Sequence, residues 1–499
     1  MQPYLIGVDV GTQSVKAVIF CETGERVASA TEPLSLLRPD SGTVEQDPDE
    51  IYGSVLRTVR QALEQARIDS HAVAAIGIDA QMAGIIGVDD ALRPTTAYDS
   101  WLDSRCSACA DEMRKRAGDA IIGSTGGQSG LTHGPKILWR MREYPSVYRN
   151  TARFLTLTSY LVARCCGLSA NETFIDDTHL HFTGFADSVG RKWNPDLLDL
   201  FGVDPQKLPG IRRSCECAGG LTAETAMGMG LLPGTPMAVG CGDTAASVFG
   251  AGIAEEGFCY DIAGTASVFA GCTMRFTPDV QSKTLNYMRS PIDGLWTPLA
   301  YINGGGLCLR WFRDVSGKSY AELDRLAEQA ERGSHGLIFV PHFTGRSFPN
   351  DPAVSGAFIG LDWSHTAGDL YRAVMESIAY EYRIYLNVFR RANPEIKPKT
   401  VIGVGGGAQS VVFNRIKADV LGLPYCRLAF GDTAPWGSAV LAGYACGLYT
   451  DLKTTVLQNR RNGGTEMPQH TDAYQTSVRQ YETILNNFSK LRKGEPDNL

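Results

Sequence analysis

The chain has 499 residues, 43% of them hydrophobic and 20% charged, an ordinary composition for a folded protein too long for one hydrophobic core. With 47 basic and 54 acidic residues its formal net charge is -7, which excludes the broad cationic footprint that nucleic acid or anionic lipid requires. No apolar run reaches the length of a membrane span, and thirteen scattered cysteines make no disulfide or zinc framework, so a cytoplasmic protein without membrane association is expected.

Tyr4–Val10, Val15–Cys21 and Arg26–Thr31 read as three strands separated by the turns Gly11–Ser14 and Glu22–Gly24, an opening β-meander. A helix follows with Asp47 as cap, Pro48 in its first turn and Ile51, Val55, Val59 and Leu63 on one face. Val73–Asp79 is a strand leading to Gln81–Gly84 and then to Ile85–Val88. From Leu92 to Gly230 the pattern is mostly helical and irregular; Cys106-x-x-Cys109 lies in a helical run, and His179 and His181 alternate as on one face of a strand with no third ligand. The β pattern returns at Met237–Cys241, Phe258–Ala263 and Ser267–Cys272. Helices at Ser319–Glu331 and Thr366–Arg391 precede a strand (Thr400–Val404), a helix (Gln409–Leu421), a strand (Tyr425–Leu428) and a small-residue helix (Pro435–Cys446). A polar segment, Gln458–Gln469, comes before a last helix.

Gly11-Thr12-Gln13-Ser14-Val15 recurs as Gly264-Thr265-Ala266-Ser267-Val268, each time between two strands, which points to a duplicated hairpin unit. With Gly405-Gly406-Gly407 these make three glycine turns at strand ends, where the backbone can approach a phosphate closely; Lys16 stands near the first. No Walker A motif and no Gly-x-Ser-x-Gly elbow is present. Gly403-x-Gly405-x-x-Ala408, with Arg427 19 residues beyond Ala408, fits a dinucleotide fingerprint and leaves an NADP-dependent dehydrogenase open. Asp243 follows a strand in Gly240-Cys241-Gly242-Asp243-Thr244: either it caps the next helix or it is a general base for phosphoryl transfer. Asp9 is then the carboxylate near Mg²⁺, or a strand-end acid satisfying its turn. Gln81, Met82, Trp101, Asp103 and Arg105 suit a sugar's faces and hydroxyls, and suit ordinary packing equally.

On these residues the sequence resembles the FGGY carbohydrate kinase family, and within it the xylulose kinases. The stretch Gly356-Ala-Phe358-Ile-Gly360-Leu361, followed after seven residues by Asp369-Leu370-Tyr-Arg-Ala373-Val374-Met375-Glu376, is similar to the family's C-terminal signature. Gly7-Val-Asp9-Val-Gly11-Thr12, Trp101-x-Asp103-x-Arg105, Lys136-Ile-Leu-Trp139, Gly240-Cys-Gly-Asp243 and Gly437-Ser-Ala439 are similar too. The resemblance implies an α/β fold of two actin-like ATPase (ribonuclease-H-like) domains with a ligand cleft between them. The expected boundaries are a sugar-binding domain over 1–236, an ATP-binding domain over 237–450 and a polar segment and helix over 451–499. It further implies transfer of the γ-phosphate of ATP to a small sugar or polyol, with Asp243 as general base and Asp9 and Asp243 on Mg²⁺. Gln81, Met82, Trp101, Asp103, Arg105 and Thr244 are the implied sugar contacts. Gly11, Thr12, Gln13, Lys16, Gly264, Thr265, Gly306, Gly405, Gly406, Gly407 and Gln409 are the implied ATP contacts. A homodimer is compatible with this reading. The pattern departs from the xylulose kinases at Ala83, where His is usual, at Thr158-Ser159, where Lys-Asp is usual, and at Leu131, His133 and Arg140; a ketopentose such as xylulose leads, with its fit at Ala83 in question. A non-catalytic actin-like ATP-binding protein is the remaining alternative.

Overall fold

In a computed structural model of the chain, residues 2–264 and 266–493 are described. They form two compact units. The first takes the chain up to Ala254, Tyr287–Trp296 and Asp432–Arg460; the second takes Glu255–Asn286, Thr297–Gly431 and the chain from Arg461 on. The expected cut at 236/237 therefore lies inside the first unit, which also takes the segment 432–460.

The sheet of the first unit has the order Cys217–Gly220, Pro236–Ala238, Val73–Ala80, Tyr4–Val10, Ser14–Cys21, Arg26–Pro33. Tyr4–Val10 is antiparallel to Ser14–Cys21 and parallel to Val73–Ala80, and its Leu5, Ile6, Val8 and Val10 are fully buried, as a central strand covered on both faces requires. The helix Pro48–Ala66, capped by Asp47, buries Ile51, Val55, Val59 and Ala62 in the same core. The helix Thr433–Ala445 packs on the other side with its small residues. A Cβ on Gly7 would lie 1.7 Å from the Pro435 carbonyl oxygen, and one on Gly77 would lie 2.1 Å from that of Ser438. Helix and strands therefore meet backbone to backbone. Trp436 closes this layer edge-on against Phe20, with ring centroids 5.2 Å apart.

The second unit repeats the pattern. Its sheet runs Trp296–Ile302, Ser267–Ala270, Phe258–Ala263, Thr400–Val404, Tyr425–Leu428, Asn462–Glu466. Phe258–Ala263 is antiparallel to Ser267–Ala270 and parallel to Thr400–Val404, as Tyr4–Val10 is to its neighbours. The two Gly-Thr repeats follow the first strand of each sheet. The helix Ala367–Ala392 opens with a capping box of Thr366 and Asp369 and buries one long face that includes Tyr371, Met375, Tyr382 and Leu386.

Three expectations shift. The polar segment 458–469 contains the strand Asn462–Glu466, antiparallel to Tyr425–Leu428; Gly463, Gly464 and Thr465 carry no apolar alternation to reveal it. Met237–Cys241 is broken, because Gly240 takes φ +81° between Pro236–Ala238 and Cys241–Gly242. His179 and His181 lie on a 3₁₀ helix, Asp177–Phe182, not a strand. Among the described residues no helix is long and apolar enough to cross a membrane.

The close approach at Gly7 has a direct consequence. Gly7→Ala should lower stability by about 3 kcal/mol, because backbone atoms cannot yield to the new methyl as a side chain does. Gly431→Ala, where a Cβ meets nothing within 4 Å, should shift it by less than about 0.5 kcal/mol. Urea denaturation of both variants measures the difference.

Candidate active site

The parallel register of Tyr4–Val10 and Val73–Ala80 sets Asp9 beside Asp79, and the antiparallel register on the other side sets Asp9 opposite Lys16. Asp79 is completely buried; its Oδ2 accepts from Ser438 Oγ at 2.6 Å and its Oδ1 has no conventional donor. Burial, and next the charge of Asp9, push the Asp79 carboxyl well above the usual range, so it keeps its proton and shares a hydrogen bond with Asp9. Asp9 is itself pushed up to about 6, by burial first and then by the charge of Asp243, against the pull of the Asp79 hydrogen bond and of Lys16. The Lys16 ammonium is ion-paired with Asp432, which also takes Arg26 at 3.1 Å.

Asp243 is the first residue of the helix Asp243–Gly250. The Thr244 backbone N–H and hydroxyl donate to its Oδ1 at 2.5 and 3.2 Å. Burial raises its carboxyl above the ordinary range, while the Thr244 bonds and the nearby His179 oppose the rise. Three carboxylates thus surround one region with a single lysine close by, and that lysine is engaged elsewhere.

The expected sugar contacts divide into two networks. The Trp101 indole N–H donates to Thr12 Oγ1 at 2.9 Å, Thr12 Oγ1 donates to Gln81 Oε1 at 3.3 Å, and Gln81 Nε2 donates to Gln46 Oε1 at 2.6 Å. Met82 lies against Gly242, where a Cβ would come within 2.5 Å of its thioether. Ala83 adopts φ +65°, a strained conformation for a residue with a Cβ. Asp103 and Arg105 belong to the second network. Asp103 is buried and accepts from the Val44 N–H at 2.9 Å and from Arg105, whose guanidinium also reaches Glu45 at 2.6 Å and Asp99 at 2.9 Å. Arg105 and Arg140 stack on Trp139 with their guanidinium carbons 4.4 and 4.6 Å from the ring centroid. Lys136 donates to the carbonyls of Ser100 and Asp103, which fixes the turn that carries Trp101. Glu45, Asp99 and Asp103 are near enough for a cation, but Arg105 and Arg140 already neutralise them.

In the second unit the glycine turns meet one another. Gly405 has φ +87°, and a Cβ on Gly407 would lie 2.8 Å from that of Ala263, beside Gly264. A Cβ on Gly305, next to Gly306, would lie 2.2 Å from Ser267 Oγ, whereas Gly406 faces open space. Gln409 is exposed and accepts from Arg427 at 2.7 Å. Gln13 is exposed in the first unit, and the Gly11 N–H closes its turn on the Ser14 carbonyl at 3.0 Å. Thr265 lies outside the described residues. Sequence reasoning kept His133 as a departure from the xylulose kinase pattern that could offer an imidazole, and set aside His179 and His181 as metal ligands; all three are buried, and His133 and His179 stand with ring centroids 5.8 Å apart. Besides the departure at His133, the signal was that three of the chain's eight histidines fall within one irregular stretch.

Two mixed sheets of one topology, each opening on a Gly-Thr hairpin, define an actin-like ATPase fold. The FGGY family of carbohydrate kinases matches over residues 4–250 with its N-terminal domain and over 259–446 with its C-terminal domain. The chain belongs to the FGGY family of carbohydrate kinases, and it is a sugar kinase. It is 29% identical over 444 residues to the xylulose kinase of Escherichia coli K12, covering 88% of this chain and 90% of that one. It is 26% identical over 463 residues to the gluconokinase of Bacillus subtilis, covering 90% and 88%. Among solved structures, a xyloylose kinase from Brucella ovis superposes with a TM-score of 0.91 at 25% identity, covering 98% of this chain and all of that one. Kinases of this family use ATP. The dehydrogenase reading falls with this membership, and Arg427, its supposed 2′-phosphate ligand, is committed to Gln409 and the Gly463 carbonyl. The non-catalytic reading falls with it.

The crowding at Asp9 has a measurable cost. An acid whose pKa rises on folding is penalised once it must ionise, so the penalty is absent below about pH 4 and grows as pH rises through about 6. Asp9→Asn should therefore stabilise the ligand-free protein at pH 7.5 by on the order of 2–3 kcal/mol and leave it nearly unchanged at pH 4. Denaturation curves at the two pH values test this.

Proposed function

We propose that this kinase transfers the γ-phosphate of ATP in line to a hydroxyl of a small sugar or polyol, with a ketopentose such as xylulose the leading candidate and Asp243 as general base. The observation that carries the reading is the setting of Asp243, whose one oxygen is held by Thr244 while burial raises its proton affinity. A carboxylate so placed accepts a hydroxyl proton more readily than a free one. The positive end of the helix it heads favours the charged form and so opposes that rise.

The carboxylate cluster fits Mg²⁺. Asp9, Asp79 and Asp243 crowd together, their carboxyls all pushed up by burial, and the nearby Lys16 is paired with Asp432. Asp9 and Asp243 would hold the ion, which when bound offsets negative charge on the ATP phosphates. Neutral Asp79, bonded to Ser438, orients Asp9. Gln81, Met82, Trp101 and Thr244 face the sugar in this reading, and Asp103 and Arg105 act behind Trp101. The turns at Gly11–Gln13, Gly264–Thr265, Gly306 and Gly405–Gln409 hold ATP, while Lys16 fixes the first of them through Asp432.

Asp243→Asn should reduce kcat by about 10²–10⁴-fold with ATP affinity nearly unchanged, the range of a lost general base. Steady-state ADP release with the best sugar measures it, and near-normal turnover would remove Asp243 from the chemistry. Gly406→Val tests the nucleotide side. A Cβ at this position meets nothing within 4 Å, so the variant should fold normally and bind ATP at least about tenfold more weakly, with sugar affinity kept. Calorimetry with each ligand separately reads both numbers.

A further inference from the structure

His133, His179 and His181 gather beside the turn that carries Asp243. The Gly242 N–H donates to Thr178 Oγ1 at 3.1 Å, which ties the residue before Asp243 to the residue before His179. The Thr158 hydroxyl anchors the same turn on the Cys241 carbonyl at 3.1 Å. All three imidazoles are buried, and among the described residues four of their nitrogens have no partner: both of His133 and the Nε2 of His179 and of His181. An unpartnered polar group in a protein interior costs about 1–3 kcal/mol, so four together call for a partner that the protein itself does not supply. Beside His133 lies a cavity of about 20 Å³, walled by Ile85, Ile137, Phe154 and Phe185, with room for one water. It does not serve the other two rings.

The free nitrogens have a defined chemistry. His181 Nδ1 faces the Thr178 carbonyl at 3.0 Å and His179 Nδ1 faces Asp176 Oδ2 at 2.7 Å. Both partners accept only, so each Nδ1 carries the proton, and in the neutral ring Nε2 is left as an acceptor. Burial pushes His181 down to about 3 and His133 well below its ordinary value, so both are uncharged at neutral pH. His179 and Asp176 together carry a net charge of zero or minus one in either state of the ring. Among the described residues the cations of this region are engaged: Lys16 with Asp432, Arg191 and Arg289 with Asp177, and Lys136 with the Ser100 and Asp103 carbonyls, while the Mg²⁺ proposed at Asp9 and Asp243 would be taken up by those acids and the ATP phosphates, so no cation is left for a carboxylate of the substrate.

We propose that His179, held by Asp176, is the specificity-determining residue of the substrate site, its Nε2 accepting a hydrogen bond from a second hydroxyl close to the one that Asp243 deprotonates. The substrate class is an uncharged vicinal diol, a ketose or polyol, and sugar acids are rejected. This rests on the proposed role of Asp243. A site built to bind a hydroxyl discriminates strongly against the analogue that lacks it, because its own buried group is then left unpaired.

The test compares a ketopentose, the matching pentitol, a deoxy analogue lacking the neighbouring hydroxyl, and an aldonate, in wild type and in His179→Asn. Asparagine can still donate to Asp176 but has nothing at the Nε2 position. In wild type the diols should exceed the deoxy compound and the aldonate in kcat/KM by at least about 100-fold. In His179→Asn the diol-to-deoxy ratio should fall at least about tenfold, with KM for ATP and Tm within error of wild type. If Asn destabilises the fold, His179→Gln, which puts an amide near the Nε2 position, should retain more of that ratio than His179→Ala. An unchanged ratio in a folded variant overturns the proposal, and so does an aldonate as the best substrate. Loss of the kinase reading would appear separately, as no sugar-dependent ADP release from wild type or as full activity of Asp243→Asn.

Discussion

The contact on which the first unit depends is the backbone-to-backbone seating of the helix Thr433–Ala445 on the central strands. It exists because Gly7 and Gly77 have no side chain to hold the helix off. The seating delivers the Ser438 hydroxyl to buried Asp79 and brings Asp432 to Lys16. It also sets Thr433 against Ser247, in the helix that Asp243 heads, with their hydroxyls 2.9 Å apart. A segment nearly 360 residues along the chain from Asp79 therefore decides how the acid cluster is arranged. Neither the strands nor the helix alone carries that information.

The cluster is electrostatically expensive, and a buried aspartate in the second unit shows how a purely structural one is treated. Asp261 is also completely buried, in the strand that corresponds to Tyr4–Val10, but it receives Lys417 at 2.5 Å, Tyr425 at 2.6 Å and Tyr382 at 2.7 Å. Every lone pair that matters there is satisfied, which is what burial of a charge demands. Asp79 and Asp9 are left sharing one proton with a third acid, Asp243, nearby and, among the described residues, with Lys16 already paired. Proteins retain such arrangements where the missing charge is supplied by what they bind.

The same contrast separates the arginine network around Trp139 from the histidines. Arg105 and Arg140 are saturated by carboxylates and by the Trp139 ring, so they stiffen the turn that presents Trp101 and have nothing left for a ligand. The three imidazoles keep unpartnered nitrogens next to the Asp243 turn. Residue type alone ranks arginine and aspartate above histidine as sugar contacts; the inventory of satisfied groups reverses the order.

The sequence by itself determined the elements that local chemistry governs. The opening meander, the Asp47-capped helix, the capped helix after Thr366 and the Gly-Thr repeat all follow from alternation, caps and glycine turns, which act over a few residues. It also determined the family, whose signatures are short and contiguous. It missed the strand Asn462–Glu466, whose polar, glycine-rich residues gain their conformation only from pairing with Tyr425–Leu428. It grouped Trp101, Asp103 and Arg105 as one set, because adjacency along the chain does not say which partner each side chain meets. Only the tertiary structure decided that Asp103 and Arg105 are consumed by Val44, Glu45 and Asp99, that Asp79 joins Asp9, and that His133 stands beside His179. Those pairings join residues far apart in sequence, and burial with hydrogen-bond supply is settled by packing, which no local pattern encodes.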